Sequence, residues 1–156
     1  MSKTNLNEEK AFKLSQFGSL IVIGLGIIIL ILSISIFIIG EYGFGPLQRF
    51  QMMVIIVFSI ILPAVIFVLS FSRLREFFKS KIPKDNLILG IIILVISAFL
   101  IAYSIFWINY VSYFIDNPDI SGLAVGIVIC IIIGIVALAL CIFGSVSNIL
   151  IYIKNK

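Results

Sequence analysis

Four long apolar stretches without a charged residue decide what this chain can fold into. They occupy residues 17–40, 50–72, 87–115 and 120–153. A chain that is 62% hydrophobic could not keep so much apolar surface covered in water. In hydrocarbon the backbone must satisfy its own hydrogen bonds, so apolar stretches of about 20 residues become membrane-spanning helices. The sequence therefore predicts an all-α integral membrane protein, a single membrane domain with spans over about 17–40, 48–72, 87–114 and 120–144. The first stretch is longer than a signal-peptide core and is expected to be a retained span.

A basic segment in the middle of the chain predicts the orientation of these spans. Five of the eleven Lys and Arg residues lie in it, namely Arg73, Arg75, Lys79, Lys81 and Lys84. A basic side chain at the bilayer centre costs about 2.5–3.5 kcal/mol on insertion scales, and short loops rich in such residues stay cytoplasmic. We expect an inner loop over 73–85, contacting anionic head groups, and an interfacial tail over 145–156 on the same side. With only Arg49 among the basic residues on the opposite side, both termini are expected to be cytoplasmic in an up-down-up-down four-helix bundle of the cell membrane.

The connections on the other side are short. A glycine-rich turn covers residues 40–46, and an acidic turn, Asp116-Asn117-Pro118-Asp119, joins the third and fourth spans. Pro63 lies near the middle of the second span, where it removes one backbone hydrogen bond and is expected to kink the helix. The last uncharged stretch is too long to cross a membrane upright, and this predicts a tilt or a bend near Gly144 and Ser145.

The composition of the spans argues against several classes of protein. No Asp, Glu, Lys, Arg or His occurs inside the four predicted spans, whereas ion-coupled transporters usually need such a group at membrane depth. The chain has no His at all, and its two cysteines, Cys130 and Cys141, are eleven residues apart in one helix. We therefore expect no catalytic residue, no metal or cofactor site, no enzymatic activity and no nucleic-acid partner.

Small residues recur along the fourth span at helical spacing. Small side chains let two membrane helices approach closely and so strengthen their dispersion contacts. This spacing predicts either packing within the bundle or contact with another subunit. The residues concerned are Gly122, Gly126, Cys130, Gly134, Ala137 and Cys141.

Aromatic residues form a second stripe in the last third of the third span. Tyr103, Trp107 and Tyr110 lie at its centre, with Phe99 and Phe114 on either side. The stripe is typical of the aromatic belt at a membrane interface. The alternative is a groove for a flat lipid or quinone, or for a partner helix, and Tyr103 lies deepest in it.

Two functional hypotheses remain. The first is a non-catalytic accessory or structural subunit that packs within a larger membrane protein complex, because almost no chain lies outside the membrane. The second is a homo-oligomeric pore or carrier for an uncharged small solute. Serines within the spans would line such a path, namely Ser33, Ser35, Ser59, Ser97 and Ser104. The lipid bilayer and other membrane subunits are the expected partners in the first case.

Overall fold

A computed structural model of the chain describes residues 3–39, 46–77 and 83–154, with side chains for 9–39, 46, 49–71 and 87–154. Its elements are α1 (Lys3–Ile39), α2 (Pro46–Ile56), a π-helical turn (Val57–Ile61), α3 (Leu62–Phe77), α4 (Pro83–Ser112) and α5 (Ser121–Lys154). The described parts of the chain contain no strand. Because α2, the π turn and α3 follow one another without a break, they form one continuous helical segment, the second span.

Within the described ranges, four helical segments are long and apolar enough to cross a membrane, as the sequence predicted. They are Glu9–Ile39, Arg49–Phe71, Leu87–Ser112 and Ser121–Lys154. α1 includes the polar residues before the first predicted span, where Lys13 Nζ and Glu9 Oε1 form an ion pair at 2.6 Å. α5 continues past Gly144 and Ser145 to Lys154 and is 34 residues long. At 1.5 Å per residue this helix is about 51 Å long, well beyond a hydrocarbon core of about 30 Å.

α1 and α5 make the most extensive contact in the bundle. A Cβ placed on Gly18 would lie 2.6 Å from the carbonyl oxygen of Ala137 and 2.8 Å from Cys141 Sγ. One placed on Gly144 would meet Ser15 and Ala11 in the same way. Since each of these positions lacks a side chain, the two backbones approach closely, and the contacts progress in opposite order along the two helices.

The second span packs on α1 through another glycine. Gly26 lies directly against the backbone of Ser59, within the π turn. Pro63 has no N–H to donate to the Ser59 carbonyl four residues earlier, so the α-helical pattern cannot continue unchanged through this point. The chain forms the π turn there, and the N–H of Leu62 donates to the carbonyl of Val57. The proline predicted to disturb this span is therefore accompanied by a local change of helix type.

α4 packs along α5 and makes few contacts with the second span. Gly90 faces Ser145 and Asn148 of α5. α4 begins at Pro83, four residues before the predicted start of the third span. The turn between α4 and α5 is closed by Asn117, whose carbonyl accepts the N–H of Ser121 at 2.8 Å. The uneven contacts leave the bundle close-packed around α5 and open between the second span and α4.

Candidate functional site

An aromatic groove lies where the second span and α4 separate. Its volume is about 400 Å³, and only apolar atoms line its surface. Tyr103, Trp107 and Tyr110 of α4 contribute to it, and Phe58 of the second span closes one end. The sequence had singled out the three α4 residues as a stripe, and the structure brings them together along this groove.

The rings along the groove contact one another in series. Phe58 stacks on Tyr103 with ring centroids 4.1 Å apart and planes at 18°. Tyr103 meets Trp107 edge to face at 6.1 Å, and Trp107 meets Tyr110 in the same way at 5.2 Å. Such pairs contribute about 0.5–1.5 kcal/mol each beyond the burial of their area. The wall formed by α4 is therefore a connected aromatic surface rather than a set of independent side chains.

A side-chain hydrogen bond joins the second span to α4 beside the groove. Gln51 Nε2 donates to Tyr110 Oη at 2.6 Å. In this bond the Tyr110 oxygen is the acceptor and the Gln51 amide is the donor. This hydrogen bond ties the second span to α4 beside a groove whose exposed surface is apolar.

A small, partly open cavity lies behind the groove, between the helices of the bundle. It measures about 40 Å³ and is bordered by Tyr103, Ser104, Trp107, Ser59 and Cys130 among others. The Tyr103 hydroxyl and the Trp107 indole N–H are both buried without a hydrogen-bond partner. A space of this size holds a water molecule. Phe58, Tyr103 and Trp107 border both spaces and form the partition between them.

The small-residue stripe of α5 does not lie on one face. Ala137 and Cys141 are buried against α1, and Gly134 is buried facing Leu25. Gly126 is half-buried near Leu32, and a Cβ on Gly122 would meet nothing within 4 Å. A spacing of four residues advances about 40° around a helix with 3.6 residues per turn, so the stripe rotates out of the bundle towards Gly122. Cys130, between Gly126 and Gly134, is half-buried.

Buried polar side chains gather at the end of the bundle opposite the Asn117 turn. Cys141 O accepts hydrogen bonds from Ser15 Oγ at 3.3 Å and from Ser145 Oγ at 2.8 Å. Asn148 is 1% exposed, yet neither atom of its amide has a partner. Ser70 and Ser97 are fully buried with unpartnered hydroxyls. Sequence reasoning missed Ser15, Ser70 and Asn148, because only the pairing of helices shows which isolated polar residues face inward.

The predicted lipid-contacting residues fall outside what can be described in atomic detail. Arg73 and Arg75 lie in α3 and Lys84 in α4, but their side chains are outside the described set, and Lys79 and Lys81 lie in the undescribed segment. Among the residues described, no group of three His, Cys, Asp or Glu side chains is arranged to hold a metal ion.

The four apolar helices place this chain among multi-pass helical membrane proteins. No protein-family model, curated protein or solved structure matches it.

Proposed function

We propose that the chain is a non-catalytic accessory or structural subunit that packs within a larger membrane protein complex. The proposal is carried by the position of two surfaces of the bundle. The aromatic groove and the bare end of the α5 stripe both face sideways, where other membrane components are met. The spans also carry large exposed apolar side chains, among them Ile31, Val68, Val95 and Val136. Contact with another protein would therefore be made within the membrane.

The use of the serine hydroxyls also supports a packing role. Ser33, Ser35 and Ser104 each donate to the carbonyl four residues earlier in their own helix, at 2.8, 3.0 and 2.8 Å. Hydroxyls engaged in this way are already satisfied and do not present donors to a passing solute. Ser97 is fully buried, whereas Ser35 is part-exposed, so these serines do not share one outward face that oligomers could turn into a pore.

The proposed contact with a partner lies at the Gly122 end of α5. The Gly134 to Cys141 part of the stripe is occupied by α1, which leaves Gly122 as the position where a foreign helix can approach the backbone. Val125 and Ile129 lie beside it on the same exposed side, 41% and 52% accessible.

The direction of the four spans and the location of the termini are part of this proposal. The spans run up, down, up and down in the cell membrane with both termini in the cytoplasm. The distribution of Lys and Arg supports this, as does the opposite order of contacts along α1 and α5. Single cysteines in a Cys130→Ala/Cys141→Ala background test it. Asp119→Cys is expected to react with an impermeant maleimide on intact cells, and Lys154→Cys only after permeabilisation. The reverse pattern would invert the topology.

Gentle extraction of the native membrane, followed by determination of particle mass and composition, tests the function itself. We expect a stoichiometric complex with larger subunits, which Gly122→Leu disrupts and which Gly24→Leu, at another open and exposed glycine, leaves intact. Recovery of the chain alone would refute the proposal. A homo-oligomer would instead favour the pore or carrier, and solute flux through proteoliposomes of this chain alone would then decide that alternative.

A further inference from the structure

The π turn in the middle of the second span has an incomplete set of backbone hydrogen bonds. Pro63 has no N–H to donate to the Ser59 carbonyl, and the Leu62 N–H donates to Val57 instead of Phe58. The carbonyls of Phe58 and Ser59 therefore lose the donors that a regular helix supplies at residues 62 and 63. Helices bend at such points because fewer hydrogen bonds resist the bend. The π turn is thus the point where this span bends most easily.

The part of the span that follows the turn is held firmly by the bundle. Pro63, Ile66 and Ser70 of α3 are each less than 2% exposed. At the turn itself, Gly26 of α1 lies directly against the backbone of Ser59. A bend at the turn would therefore leave α3 in place and move the part of the span that precedes it.

That preceding part, α2, is held much more loosely. Among its described side chains only Ile55 is buried, whereas Phe50 and Met53 are 64% and 65% exposed. Ile55 itself borders a cavity of about 20 Å³ next to α1. On the other side of α2 lies the aromatic groove, beside which the hydrogen bond from Gln51 to Tyr110 ties α2 to α4. α2 therefore has open space beside it and a single neutral hydrogen bond as its described polar tie to α4.

We infer that the second span is hinged at its π turn and that α2 moves as an arm that opens and closes the aromatic groove. The structure shows the closed arm, in which Gln51 is bonded to Tyr110. In the open arm this bond is broken and α2 bends away from α4. α2 has 11 residues and is about 16 Å long, so a bend of about 20° moves its far end by about 6 Å. The inference does not rest on the proposed role as a subunit, because the hinge, the arm and the tie belong to one chain.

Distances between pairs of nitroxide spin labels measure this movement. Met53→Cys on α2 and Ile105→Cys on α4 carry the first pair, at exposed positions outside the groove lining. Val68→Cys on α3 and Val95→Cys on α4 carry the control pair, at equally exposed positions beside the firmly held part of the same span. Both native cysteines are replaced by alanine, and double electron–electron resonance is recorded on the full chain in nanodiscs. We expect a broad or two-peaked distance distribution for the first pair and a single narrow peak for the control pair.

Two proline substitutions within the second span locate the hinge. Pro63→Ala restores the N–H that donates to the Ser59 carbonyl, and it is expected to reduce the Met53–Ile105 distribution to a single narrow peak. Pro46→Ala is the matched control, because Pro46 is the first residue of α2, where the helix needs no N–H donor. We expect Pro46→Ala to leave the distribution unchanged.

Two further substitutions remove the tie from either side. Gln51→Leu and Tyr110→Phe are each expected to raise the ratio of open to closed arms about two- to tenfold, as the loss of one neutral hydrogen bond implies. Because both remove the same bond, the double variant is expected to shift the ratio no further than the single variants do. The control pair is expected to keep its distribution in all of these variants.

The unsubstituted chain alone suffices to overturn the inference. A Met53–Ile105 distribution as narrow as that of the control pair would show a rigid span, even if Pro63→Ala failed to fold. Equally broad distributions for the two pairs would show that the whole span moves and that α2 is not a separate arm. A broad Met53–Ile105 distribution that Pro63→Ala leaves unchanged would place the movement elsewhere than at the π turn.

Discussion

Two glycines of α1, only two residues apart, are expected to respond oppositely to the same substitution. A Cβ on Gly24 would meet no atom within 4 Å, whereas one on Gly26 would overlap the carbonyl oxygen of Ser59 and lie 2.7 Å from its carbonyl carbon and 2.9 Å from its Cβ. Ordinary contacts of this kind are 3.4–4 Å long. Gly26→Ala therefore requires the second span to move away from α1 by roughly 1 Å, since the atoms it meets belong mostly to backbone.

The magnitude follows from two opposing effects. Overpacking against an interface that cannot relax costs about 1–3 kcal/mol, and a gap of 0.5–1 Å along the contact forfeits about a quarter to a half of its dispersion energy. Replacing glycine by alanine in a helix contributes at most about 1 kcal/mol of stability. We expect Gly26→Ala to lower the free energy of unfolding by about 1–3 kcal/mol and Gly24→Ala to leave it unchanged or raise it by up to about 1 kcal/mol.

Reversible unfolding in mixed micelles by increasing dodecyl sulfate, followed by far-ultraviolet circular dichroism, measures both variants. A difference of 2 kcal/mol between them corresponds to about a 30-fold change in the unfolding equilibrium constant, which is well resolved. If the two variants unfolded within about 0.5 kcal/mol of each other, the close approach of Gly26 to Ser59 would not exist, and the packing of the second span on α1 would have to be reconsidered.

Three further expectations concern single side chains. Tyr103→Phe is expected to leave the stability of the bundle unchanged or to raise it by as much as about 3 kcal/mol, because the hydroxyl is buried without a partner. Tyr110→Phe loses a hydrogen bond worth about 0.5–1.5 kcal/mol. A clear loss of stability for Tyr103→Phe would show that a bound water satisfies the hydroxyl. Asn148→Leu, close in shape, is expected to stabilise by about 1–3 kcal/mol because the amide is unpartnered, and destabilisation in the same unfolding assay would contradict this. Gly122→Leu is expected to leave unfolding unchanged while Gly134→Leu lowers stability by about 1–3 kcal/mol, and equal effects would mean that Gly122 is not bare.

The helices could be predicted from the sequence, but the faces they use could not. The four spans follow from the length of the uncharged stretches, which hydrocarbon forces into helices. α1 and α4 carry apolar residues all around their circumference, so neither helix has one hydrophobic face. The pattern therefore cannot tell whether Gly24 or Gly26 of α1 faces a neighbouring helix. The two glycines look alike in the sequence and differ only in what lies opposite them.

The candidate site could likewise be predicted only in part from the sequence. Tyr103, Trp107 and Tyr110 could be singled out because they are aromatic at helical spacing on one helix. Phe58 and Gln51, which complete the groove, belong to another helix, and no spacing within the chain pairs them with α4. For α5 the spacing of small residues was visible, but the net rotation of about 100° from Gly122 to Cys141 decides that Cys141 faces α1 while Gly122 does not.

The packing of the second span and the groove beside it have a common origin, and this gives one more test. Pro63 prevents a regular hydrogen bond to the Ser59 carbonyl, and the residue opposite that carbonyl is Gly26, so the span is drawn against α1. On the other side of the same turn, Phe58 and Tyr103 are stacked and hold the second span away from α4, which leaves the groove open. Gly26→Ala should therefore move the span towards α4, narrow the groove and alter the emission of Trp107, while Gly24→Ala leaves that emission unchanged. If Gly26→Ala lowered stability without any change in Trp107 fluorescence, the two sides of the second span would be independent, and the groove would owe its shape to α4 alone.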